Sequence, residues 1–392
     1  MERNYKSNIF KIYIFSFILG IHTVRGVYIP FMLSWGGLSF FQVMILQSYF
    51  TAMIVVFEIP SGAIADLLGR KTALILSALS VASAAFTYSI IPNFFLFMLA
   101  ETLWAFGSAL LSGTNEAFIY FSLKSFGEEK SLSKILGRTR TMRLIALTLS
   151  APIGSIIAAY ISLQFTMTTL AFIFISAFIV ALTFREPKMI NKNYRQETYF
   201  NILKSGFKEL RNNKKLRILA FDWIPISVLI IFMFWIYQVY FEAIHIPIVF
   251  FGFITSLMNI TDAIFSNLIP YLLKSTKNKK QFLILINLIN GIAYIVLGFT
   301  TIIPLGLVIV LAIVAFGYSR YLIFVDGINL QMESENRATV LSTINMFGSF
   351  LRAMLYPIVG LLVEWNIFVV FIMTGGLILL FTIFTRSKSE YL

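Results

Sequence analysis

The chain contains no cysteine and only two histidines, His22 and His245, in 392 residues. Disulfides, thiolate metal sites and cysteine nucleophiles are therefore excluded, and a histidine metal cluster lacks ligands. Charge is scarce too, at 12% of residues, about half the share found in soluble domains. Carboxylates are the scarcer sign, 18 against 31 Lys and Arg. No Gly-x-x-x-x-Gly-Lys-(Ser/Thr) loop is present to cradle a nucleotide phosphate, so ATP-driven work by this chain is not expected. No nucleophile and base arrangement and no metal-ligand spacing supports an enzyme, and no cofactor is implied.

What remains is apolar. Hydrophobic residues make up 58% and aromatics 16% of the chain, with a mean hydropathy of +0.85. So little polar surface cannot cover a soluble globule, and the chain belongs in a bilayer. A helix needs roughly 20 apolar residues to cross about 30 Å of hydrocarbon. Two groups of six runs meet that length, at 9–35, 40–65, 72–91, 93–122, 136–161 and 164–184, then at 216–243, 248–273, 281–301, 304–330, 338–363 and 365–385. The first run is too long for a signal-peptide core and lacks a small-residue cleavage pattern, so it is expected to remain as span one. The polar stretch from Arg185 to Arg217 parts the two groups. The expected fold is an all-α membrane protein of twelve transmembrane helices in two pseudo-symmetric six-helix bundles, 1–185 and 216–392, joined by a linker at 186–215.

The net charge of +13 is informative through its placement. Arg25, Arg320 and Arg352 lie deep in predicted spans, whereas the other cations lie in or beside the termini and the even-numbered connectors, and the odd-numbered connectors have none. This positive-inside pattern predicts cytoplasmic termini and a cytoplasmic linker. A nucleic-acid partner would need a soluble basic face interleaved with aromatics, which no segment provides. Within the linker, Phe200, Leu203, Phe207 and Leu210 recur at helical spacing among Lys204, Lys208, Arg211, Lys214 and Lys215. That pattern suits an amphipathic helix on an anionic inner leaflet, or equally a solvated loop.

Between spans two and three runs Gly62-Ala63-Ile64-Ala65-Asp66-Leu67-Leu68-Gly69-Arg70-Lys71. Gly62, Asp66, Gly69, Arg70 and Lys71 match the pattern Gly-x-x-x-Asp-(Arg/Lys)-x-Gly-Arg-(Arg/Lys), and Leu67 departs from it. The decapeptide resembles the signature of the major facilitator superfamily, and with twelve spans and a central loop the resemblance covers nearly the whole chain. In that family the cluster latches the halves in the outward-facing state, which implies a carboxylate partner for Arg70, with Glu116 or Glu128 as candidates. Span four carries Ala100 to Gly107, which looks like the second family signature, Arg-x-x-x-Gly-x-Gly, with Glu101 where the arginine usually stands. Around Pro152, Ser150 to Ser155 is a partial likeness to the antiporter signature Gly-Pro-x-x-Gly-Gly, without the glycine before proline or the closing pair. Such a segment leans toward efflux, although proline and small residues also kink and pack helices.

An unpaired charge at the bilayer centre costs about 2.5 to 3.5 kcal/mol, so buried charges are expected to pair or to face a wet cavity. Arg25 and Glu101 lie roughly 12 to 15 Å below the outer boundary at 1.5 Å per residue and are expected to pair. In the second half Asp262 lies at a depth similar to Arg320 and Arg352, so one carboxylate alternates between two cations. Protonation of Glu101 or Asp262 would release a cation, a device for proton coupling. Glu58, Glu116, Arg143 and Asp326 sit nearer the inner ends, where gate contacts are expected. Trp104, Trp235, Tyr237, Tyr318 and Tyr321 are candidates for lining a ligand cavity or for filling helix contacts. His22, one turn before Arg25, is a candidate titrating group or a hydrogen-bonding one.

These readings converge on a monomeric secondary transporter in a prokaryotic plasma (inner) membrane. It works by alternating access and exports small amphipathic or drug-like molecules in exchange for protons or another coupling ion. The alternatives are a proton-coupled importer of a nutrient or metabolite, a lipid flippase, and a membrane receptor that binds without transport.

Overall fold

A computed structural model describes residues 2–187, 199–276, 278–332 and 337–392, and every regular element among them is helical. Membrane-length helices occupy Lys6–Trp35, Phe40–Leu68, Arg70–Ile90, Phe94–Lys124, Glu129–Tyr160 and Leu163–Leu182, called spans one to six. Spans seven to ten are Lys214–Ala243, Ile248–Ser275, Lys279–Leu297 and Ile303–Leu330. A last helix, Arg337–Ile383, is broken at Asn366, whose backbone is extended at φ −166° and ψ 110°. The Asn366 carboxamide oxygen then accepts the N–H groups of Phe368 and Val369, which makes it the cap of a new helix. The break gives spans eleven and twelve, as the hydropathy predicts.

Other spans start in the same manner. Ser39 and Gln42 form a reciprocal capping box, and Asn93, Ser162, Asn213 and Asn278 each accept from the first exposed N–H groups of their helices. Short polar residues at the ends of apolar runs thus set where helices begin.

The chain divides into two compact units, Met1–Gln196 with Ile248–Ser256, and Glu197–Pro247 with Leu257–Leu392. In the first unit, two spans predicted as continuous are interrupted. Span one is regular over Glu2–Gly20, leaves the helix over 21–24, and resumes in short turns to Trp35. Freed backbone and side-chain groups there are taken up by neighbours: the His22 N–H donates to Ser150 Oγ (2.9 Å), and Thr23 Oγ1 donates to the Thr166 carbonyl (2.8 Å). A broken helix survives at membrane depth only with such replacements. Span four breaks at Ser112 and Gly113, the latter at φ +69°, a conformation that suits glycine. Span five crosses the broken segment without room for a side chain, since a Cβ on Gly154 would overlap the Thr23 carbonyl.

Each unit also fastens the start of its first helix to the chain after its last. Asn8 accepts the Arg185 N–H, donates to the Arg185 carbonyl, and reaches Ser122 of span four. The Glu186 carboxylate caps span three through the N–H groups of Arg70 (2.9 Å) and Lys71 (2.7 Å). In the second unit Asp222 Oδ2 accepts from the Arg386 N–H (3.0 Å), the Ser387 N–H (2.7 Å) and Ser387 Oγ (2.6 Å). Ser389 Oγ takes the Lys280 N–H at the start of span nine. The two units therefore repeat one another in detail: span one or seven grips the chain beyond span six or twelve, which next caps span three or nine.

The linker helix, Tyr199–Asn212, packs on its own unit. Gly206 sits against Thr343 of span eleven so closely that a Cβ would overlap the hydroxyl, and Leu210 joins a core with Leu216, Leu219, Trp223, Val340 and Ile344. The apolar face expected to lie on the leaflet is thus partly claimed by protein, leaving Phe207 53% exposed. Residues 188–198 and the side chains of Phe200 and Leu203 lie outside the described residues.

Candidate functional site

Glu101, on span four, is only 5% exposed. Its Oε1 accepts from Tyr88 Oη of span three (2.5 Å), Gln47 Nε2 of span two (3.1 Å) and Tyr28 Oη of the broken part of span one (3.2 Å). Gln47 Nε2 also donates to Tyr28 Oη (3.0 Å), which closes the cluster. One carboxylate oxygen therefore ties four spans together. Arg25 is not among its partners, so the expected Arg25–Glu101 pair is replaced by neutral donors, the alternative means of keeping a buried carboxylate satisfied. Tyr28, Gln47 and Tyr88 were not singled out from the sequence.

Arg25 instead lies near Arg143 and His22, close enough for mutual repulsion. His22 is half-buried, its ring tilted against Trp104 (6.1 Å between centroids) and edge-on to Phe174 (5.7 Å). Arg143 lines a cavity of about 790 Å³ among spans one, four and five, together with Glu116, Arg140, Asn115 and the break at Ser112 and Gly113. Glu116 and Arg143, expected at the inner gate, thus share one cavity.

The second unit opens a cavity of about 340 Å³ among spans seven, ten and eleven, which correspond to spans one, four and five of the first. Arg352, Asn345, Ser227, Trp223, Tyr318 and Tyr321 line it. Arg352 donates to Ser349 Oγ (2.6 Å) and adjoins Tyr356, whose hydroxyl accepts from Trp235 Nε1 (3.2 Å). Trp235 therefore positions Tyr356 and does not line the cavity. Arg320 is fully buried behind it, donating to Ser227 Oγ (3.3 Å) and the Asp222 carbonyl (3.2 Å) with its guanidinium over Phe324. Asp262 accepts from Ser266 Oγ one turn along its own helix (3.2 Å) and is not a partner of Arg320 or Arg352. The expected alternation of one carboxylate between two cations is not the arrangement found.

The sequence profile of the Major Facilitator Superfamily matches residues 12–325. The chain belongs to the Major Facilitator Superfamily. No curated protein sequence matches it. Among solved structures, the nucleoside transporter NupG is similar with a TM-score of 0.76 at 16% identity, over 97% of this chain and 98% of that one. A D-xylose-proton symporter aligns with a TM-score of 0.74 at 13% identity over 99% of both chains. A bacterial homologue of the human lysosomal transporter Spinster, in an inward-facing and occupied conformation, reaches 0.72 at 13% identity over 99% of this chain and 96% of that one. At these identities the likeness is one of fold.

The superfamily signature has a different set of contacts from those expected. Gly62 lies within the end of span two, and Gly69 forms the turn at φ +92°. A Cβ there would meet the Glu186 carboxyl at 2.9 Å. Glu186, rather than Asp66, holds the positive N-terminus of span three, and Asp66 is exposed. Arg70 is buried with its guanidinium 4.2 Å from the Phe121 ring centroid, near Asp66 and Glu186. Neither Glu116 nor Glu128 takes the expected partner role, because Glu116 lines the first cavity and Glu128 accepts from Ser131 Oγ. Lys71 donates its N–H to Glu186. Pro152 lies inside span five, where its carbonyl accepts from Ser155 Oγ, beside the tight crossing at Gly154.

Proposed function

We propose that the chain is a proton-coupled carrier working by alternating access, with Glu101 as the group that takes up and releases the proton. The observation that carries this reading is the convergence of Tyr28, Gln47 and Tyr88 on one buried oxygen of Glu101. As a carboxylate, Glu101 accepts all three hydrogen bonds. Once protonated it loses its charge, and all three bonds to Oε1 fall from charge-assisted to ordinary strength. The ties of spans one, two and three to span four are thereby weakened together by a single proton, and the broken part of span one, which carries His22 and Arg25, is freed to move against Trp104 of span four. Such a two-state element is what coupling requires.

The cavities at Arg143 and Arg352 are the proposed cargo surfaces, the first lined by leucines and polar groups and the second by Trp223, Tyr318 and Tyr321, walls suited to a small amphipathic molecule. Export against the proton gradient is the first reading, supported by the partial antiporter likeness around Pro152. Import is the second, favoured by the structural likeness to a D-xylose-proton symporter. The proposed setting is a monomer in a prokaryotic plasma membrane with both termini cytoplasmic, as the charge placement implies.

Proteoliposomes with an internal pH dye, screened across dyes, sugars, nucleosides and amino acids, test the proposal. Wild-type protein should move protons when a cargo gradient is applied, and Glu101→Gln should retain cargo exchange while losing the coupled proton movement. Coupled proton flux undiminished in Glu101→Gln would remove Glu101 from the mechanism. The sign of the flux separates export from import.

A further inference from the structure

A cleft of about 760 Å³ lies in the second unit, between the linker helix and spans seven and eleven. Arg211, Lys214, Arg217 and Arg386 ring it, and no carboxylate lines it among the described residues. Arg217 is built into the wall, since its Nη1 donates to the Arg211 carbonyl (2.9 Å) and bridges the linker helix to span seven. The Arg386 backbone is fixed by Asp222. The rest of the lining is apolar and includes Phe207, Phe221 and Phe347. Phe207 and Phe221 are each 53% exposed.

Along span seven the lining passes from Lys214 and Arg217 to Phe221 and Ile224, from charged to apolar. Lys214 opens span seven and Ile224 lies ten residues on, about 15 Å deeper at helical rise. A free inorganic anion makes no use of the apolar floor, and an apolar molecule makes none of the four charges. A molecule with an anionic head and hydrocarbon tail satisfies both, and basic pockets at the ends of membrane helices hold such headgroups.

We propose that this cleft is a binding site for an anionic glycerophospholipid, with the phosphate among Arg211, Lys214, Arg217 and Arg386 and an acyl chain against Phe207 and Phe221. The lipid bridges the linker helix to span seven and makes the linker's seating depend on membrane charge.

Native mass spectrometry of the purified full chain, titrated with phosphatidylglycerol or phosphatidylcholine, tests the site. Phosphatidylglycerol should be retained in preference to phosphatidylcholine. Arg211→Gln with Arg217→Gln should weaken that retention about thirty-fold, taking roughly 1 kcal/mol per charge. Lys214→Gln with Arg386→Gln provides a second, independent pair on the same cleft and should act likewise. Lys134→Gln with Arg138→Gln, exposed on the first unit, should leave retention unchanged. Equal retention of the two lipids would overturn the proposal, as would equal weakening by the control pair. Displacement of the lipid by millimolar inorganic phosphate would also overturn it by assigning the cleft to a free anion. None of these outcomes depends on transport, so the site stands or falls separately from the carrier reading.

Discussion

Tyr88 makes the shortest of the three contacts to Glu101, at 2.5 Å, and both residues are buried. Hydrogen bonds to a charged group contribute about 1.5 to 3 kcal/mol. Tyr88→Phe should therefore slow coupled transport by about ten-fold or more, whereas Tyr28→Phe, removing a 3.2 Å contact while Gln47 stays in place, should have the smaller effect. Initial rates of coupled proton movement check the order. Glu101 and Arg352 were legible in the sequence because a charge inside an apolar run is conspicuous. Tyr28, Gln47 and Tyr88 were not, because neutral polar side chains are common in such runs, and depth along a helix does not give its rotation. For the same reason similar depth does not make Arg25 and Glu101 a pair: the helix break turns Tyr28 toward Glu101 instead. Glu186 and Asp222 are silent in the sequence for another reason, since they bond backbone N–H groups far along the chain, and such partners leave no spacing pattern.

At the scale of elements, the helices themselves follow from hydropathy, and their first residues from Ser and Asn at the ends of apolar runs. The break in span one does not. Its residues Ile21, His22, Thr23 and Val24 include neither proline nor glycine, and it is stabilised by hydrogen bonds supplied by Ser150 and Thr166 from other helices. Span five must run against that break, and Gly154 is where it does so. Gly154→Ala should lower the thermal unfolding midpoint in detergent, because the new methyl group and the Thr23 carbonyl cannot occupy the same space. Gly137→Ala on the same helix meets open space. It should hold or raise the midpoint, since alanine is favoured over glycine by up to about 1 kcal/mol in a helix. Equal losses in the two variants would refute the tight crossing.

For the whole molecule, the twelve spans, the two groups of six and the family were legible because membrane length and charge placement are properties of composition along the chain. Cavity shape was not, since it depends on how six helices meet. Orientation remains a direct test of the charge pattern, and the lack of native cysteine makes it simple. Glu128→Cys, between spans four and five, should react with a membrane-impermeant maleimide only in inside-out vesicles. Pro92→Cys, between spans three and four, should react only in right-side-out cells. The reverse labelling would invert the topology.

The fastening of Asn8 to Arg185 and of Asp222 to Arg386 and Ser387 has a consequence for how each half comes apart. Helical bundles ordinarily fray from loose outer strands, but here each bundle is hemmed, its opening and closing segments buttoned together at one rim. Thermal disassembly that is denied its usual starting points is expected to begin inside the bundle, and the seam in the middle of span one, where order is borrowed from Ser150 and Thr166, is where hydrogen exchange would show it. The segment beside that seam is also the part that Glu101 holds through Tyr28.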